Sequence, residues 1–136
     1  MAVQDNAGPY PPELLWGVSW TFRGEPFADR AAFVAAVAEY QDPDGGEVWR
    51  PDEVVLRTDR VRITPDVHWY LTEEHPTAEF AADNGESFTA GELLFKVHNR
   101  FVAELRRMDH KYFEGLTLDE RQESGGPPLY GLDLGS

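Results

Sequence analysis

The segment that most constrains the fold runs from Phe88 to Gly115. Thr89 and Glu92 stand at capping-box spacing, where the Thr oxygen accepts from a first-turn amide and the Glu reaches back. Phe88 and Leu93 occupy the two positions of a hydrophobic staple. Leu94, Val97, Phe101, Leu105, Met108 and Tyr112 then recur at spacings of three and four, an apolar stripe on one helix face. Lys96, Arg100, Arg107 and Lys111 gather on the other face, with Glu92–Lys96 and Arg100–Glu104 at ion-pair spacing. The pattern predicts a long helix over about 90–113, terminated at Gly115.

The rest of the chain reads mainly as strand. Trp16, Val18, Trp20 and Phe22 alternate with Gly17, Ser19 and Thr21, which predicts a strand with an aromatic, core-facing side. Asp29 to Tyr40 reads as a shorter helix through Phe33, Val34, Val37 and Tyr40. Between Glu53 and Glu74 two or three antiparallel strands are expected, with Thr58-Asp59 and Pro65-Asp66 as connections. Ala78–Ala82 suits an edge strand, and Asn84-Gly85 marks a hairpin-type turn. Leu129–Leu134 alternates again and is expected to pair with 113–118. The fold class predicted is α+β: an antiparallel sheet of five or six strands with both helices packed on it, a closed barrel being the alternative. At 136 residues one domain is expected, spanning 1–136, with a loose Pro-rich arm over 1–13.

Charge carries the main functional signal. There are 25 acidic and 12 basic side chains, a net charge of −13. From Ile63 to Phe95 no Lys or Arg occurs, while Asp66, Glu73, Glu74, Glu79, Asp83, Glu86 and Glu92 do. Such a balance repels nucleic-acid phosphates and anionic membranes and favours fast association with a basic partner. Glu92 belongs to the helix cap and Asp66 to a turn. The candidate partner-binding surface is therefore Glu73, Glu74, Glu79, Asp83 and Glu86 around Tyr70, His75 and Phe80, aromatic anchors ringed by acids.

No chemical motif competes with it. Without Cys, disulfides and thiolate chemistry are excluded. No nucleophile elbow, phosphate loop or dinucleotide fingerprint occurs. Glu73-Glu74-His75 lacks metal-binding helical spacing, so no metal and no cofactor are expected. His98 and Asp109 would lie roughly 16 Å apart along a helix, too far to share a metal. With His68 they are the candidate polar groups of a pocket between sheet and helix.

The reading is a non-enzymatic, cytoplasmic, bacterial-type protein that neutralises a basic toxin or enzyme, in the manner of an immunity or inhibitor protein. A small-molecule-binding protein or cofactor-free enzyme is the first alternative. A component of a phage or secretion assembly is the second. The first residues contain no secretory signal pattern, and no apolar run reaches membrane-spanning length. Self-association is not legible.

Overall fold

Alternating strands need partners on both edges and a cover for one face. In the computed structural model, which describes residues 10–41, 49–66, 77–108, 111–119 and 126–135, these needs are met by a mixed sheet and two helices. The elements are β1 (Glu13–Leu14), β2 (Trp20–Thr21), α1 (Arg30–Tyr40), β3 (Val54–Leu56), β4 (Arg60–Asp66), β5 (Ala78–Ala81), β6 (Phe88–Thr89), α2 (Ala90–Leu105), β7 (Tyr112–Leu118) and β8 (Leu129–Gly135). The main sheet runs β1-β7-β8-β4-β5, with β2 also on β7; β3 and β6 form a separate two-stranded sheet. The α+β class and strand number agree with the sequence reading.

The terminal strand pairs with β7 as expected: Leu116 faces Leu132 and Leu118 faces Tyr130, antiparallel. Its other neighbour differs from expectation. β8 runs parallel to β4, with Ile63 opposite Tyr130 and Pro65 opposite Leu132. Pro65-Asp66 is therefore strand, not turn. Pro65 has no N–H to give, and its position lies beyond Ile63↔Ala78, the last β4–β5 partner among the described residues. β3 and β4 are consecutive but go to different sheets, so Thr58-Asp59 does not close a hairpin.

Helix α1 begins where expected, with the Asp29 carboxylate accepting from the Ala31 amide. Helix α2 also starts as predicted. Thr89 Oγ1 accepts from the Glu92 amide at 3.2 Å. Two further first-turn amides donate outside the helix, Ala90 to Glu53 O and Gly91 to Pro51 O, both at 2.9 Å. The helix stops at Leu105, eight residues before the expected end. The competing demand is the sheet: Tyr112–Leu118 is needed as the strand that joins β1, β2 and β8. Aromatic Tyr112 and Phe113 suit that role. Gly115 is consequently not a helix terminator. It sits at a register shift in β7 with φ +123, a bulge position that favours glycine.

The core joins the sheet and helices in one cluster. Leu94, Val97, Phe101 and Leu105 of the predicted stripe are fully buried, against Val61, Ile63, Phe113, Leu116, Tyr130 and Leu132 from the strands. The 15–23 segment is strand only at Trp20–Thr21. Val18, Trp20 and Phe22 are buried as expected, but Trp16 is 58% exposed. Leu15, at φ +61, and Gly17, at φ +85, break the alternation on either side of it.

Candidate functional site

Tyr70, Glu73, Glu74 and His75 lie outside the described residues, as do His68 and Asp109. The remaining candidates fall on β5 and the turn after it. In β5, Glu79 is exposed while Phe80 packs against the core. The turn is built as its sequence predicts: Gly85 takes φ +76, its amide donates to Ala82 O, and Asn84 Oδ1 accepts from the Glu86 and Ser87 amides. It does not close a hairpin, because β5 pairs with β4 and β6 with β3.

Two of the candidate acids already have cations. Glu79 accepts from Arg60 at 2.9 Å across the β4–β5 pair. Asp83 is held from two sides, by Arg30 at the start of α1 and by Lys96 of α2 at 2.9 Å. The Lys96 hydrogen bond, reinforced by Arg30, holds the Asp83 carboxyl below the usual carboxylate range. Lys96 spends its three donors here: on Asp83, on Glu92 at 2.8 Å and on Ala81 O at 2.6 Å. Glu92 is buried, and its carboxylate accepts from the Asp83 amide at 2.8 Å. The N-cap half of the capping box is thus present, while the glutamate spans to the β5 turn. Glu86 stands exposed at the turn's end.

His98 sits apart from these acids, in the core. It is fully buried, ringed by Trp20, Phe22, Phe27 and Phe33. Trp20 Nε1–H donates to Nδ1 at 3.1 Å, which leaves the proton on Nε2, 3.1 Å from Glu25 O. Both ring nitrogens are satisfied in the neutral form. Burial pushes the imidazole below its usual range, opposed by the Glu25 carbonyl. Neighbouring side chains fix the same loop: Asn99 brackets the Phe27 amide and carbonyl at 2.8 Å each, and Arg106 reaches Gly24 O. This geometry ties the β2–α1 loop to α2.

The described residues contain no cluster of three His, Asp or Glu able to hold a metal, and no helix long and apolar enough to cross a membrane. The alternation predicts Trp16 in the core, beside Val18 and Trp20, whereas the side chain is exposed. Its one local signal was the glycine after it, which permits the positive φ that turns the indole outward. Comparisons with protein-family models, curated proteins and solved structures give no match.

Proposed function

We propose that the chain is an acidic protein-binding module whose partner is a basic protein, such as a toxin or enzyme whose cationic surface it covers, as an intracellular immunity or inhibitor protein does. The observation that carries this reading is the charge balance. Acids outnumber bases 25 to 12. Arg30, Arg60, Lys96, Arg100 and Arg106 are each committed to an ion pair within the fold. With all twelve bases counted the net charge is still −13, and a field of one sign steers a partner of the other. Glu79 and Glu86 are exposed, and Glu73 and Glu74 precede them in the sequence. Asp83, neutralised from two sides, contributes less.

The test is capture from native lysate at low salt, followed by stopped-flow kinetics with the purified captured protein. A basic partner is expected, with an association rate falling on the order of tenfold between about 50 and 300 mM salt. E73Q/E74Q/E79Q should slow association several-fold with little change in dissociation. A neutral or acidic partner, or an association rate untouched by the triple substitution, overturns the reading.

A further inference from the structure

Between the pairs Leu14↔Leu116 and Trp20↔Phe113, the N-terminal segment has five residues where β7 has two, Glu114 and Gly115. The surplus must leave the sheet. Leu15, in the left-handed region, turns its own side chain into the core, and Trp16 goes outward. The indole then lies on Gly115: a Cβ there would stand 3.7 Å from both Cδ1 and Nε1 of Trp16. The five-membered edge of the ring faces the backbone, and the ring remains mostly in solvent.

Acidic residues stand at neighbouring register positions of this seat. Glu114 precedes Gly115 and is exposed. Asp133 is the register partner of Gly115, and Glu13 is that of Thr117. Thr117 Oγ1 donates to Asp133 at 2.6 Å, so Asp133 is tied to the residue that pairs with Glu13, while the Glu114 carboxylate lies against Gly135 of β8. No Lys or Arg is found in β1, β7 or β8.

We infer that the Trp16 corner is the anchor point of the basic partner, taking an arginine- or lysine-bearing segment with one cation over the indole face and the acids around it. This rests on the proposed function and places the anchor at the sheet edge opposite β5, four strand spacings or roughly 19 Å away. Charge decides between occupants. A second copy of the chain would bring another net −13 to an acidic corner, whereas a cationic segment finds both the ring quadrupole and the carboxylates complementary. A large aromatic at an interface centre, rimmed by polar groups, is the side chain on which binding energy concentrates.

The probe is a hepta-arginine peptide, titrated into the full-length protein at low salt and followed by amide and indole NMR signals. The expected result is a shift of the Trp16 indole N–H and of the Glu114 and Gly115 amides. W16A, whose exposed site leaves the amide spectrum dispersed, should weaken binding about tenfold, and W16F should restore part of it. E13Q/E114Q should weaken it as well. Binding that leaves Trp16 unshifted and W16A unchanged overturns the inference, as does an absence of binding. Concentration-dependent shifts of these signals without peptide would assign the corner to a second copy and also overturn it. The lysate capture decides the proposed function separately, because W16A keeps Glu73, Glu74 and Glu79 and the triple substitution keeps Trp16.

Discussion

His98 shows how far packing can override the ordinary chemistry of a residue. Its imidazole is fully buried, with two hydrogen bonds and four aromatic neighbours, so the charged form is the costly one. The folded pKa therefore lies below the unfolded value near 6.5. Below that value the unfolded chain takes up a proton that the folded chain resists. Stability contributed here is complete above about pH 6.5 and falls as pH drops towards the folded pKa, by up to about 1.4 kcal/mol per pH unit. Urea unfolding between about pH 7.5 and 5 should show this slope in the wild type and a shallower one in H98Q. Equal slopes would mean that other groups govern the window. Asp83 has the same stability-versus-pH sign at lower pH: its carboxyl is depressed by Lys96 and Arg30, so its contribution is lost in acid below the usual carboxylate range.

Among the elements, α2 carries the most local information and is the most dependent on neighbours. Its start is over-determined, by the Thr89 cap and by carbonyls from the segment before β3. Gly91 exists because of that contact. A Cβ at this position would lie 3.1 Å from both Pro51 Cβ and Pro51 O, and 3.2 Å from Val34 Cγ2. Alanine would gain up to about 1 kcal/mol of helix propensity. Against this stand a proline ring and a backbone carbonyl, neither of which yields easily, and overpacking costs roughly 1–3 kcal/mol. G91A is thus expected to lower the thermal midpoint by several degrees, at about 4–8 °C per kcal/mol for a somewhat smaller domain. An unchanged or raised midpoint would show that the 49–53 segment can retreat. The end of α2 answers to β7 instead: the apolar stripe is continuous through Met108 to Tyr112, yet Tyr112–Leu118 has three strands to pair.

At the scale of the molecule, the charge of −13 sets opposing demands. It favours capture of a cationic partner and burdens the compact state with self-repulsion. The ion pairs at Arg30, Arg60, Arg100 and Arg106 are substantially exposed and contribute little each. Screening should relieve repulsion more than it weakens these pairs. The thermal midpoint at neutral pH is expected to rise when salt goes from about 10 to 300 mM, where the Debye length shrinks from roughly 30 Å to under 10 Å. A falling midpoint would show that the ion-pair network around Asp83 outweighs the general repulsion.

The sequence by itself determined what a few neighbouring residues can decide. Asp29 and Thr89 start helices because a cap acts within one turn. Asn84-Gly85 turns because a side chain and a glycine suffice for it. The alternation of β8 and the acidic balance are likewise read directly. Tertiary structure alone decided the parallel β4–β8 pairing, the early end of α2, the pairing of Asp83 with Arg30 and Lys96, the burial of Glu92, and the exposure of Trp16. Each of these depends on residues distant in the chain that meet only when the sheet closes. At the Trp16 corner the reason is a mismatch of length: five residues face two, and alternation within one strand cannot report how many residues its partner supplies.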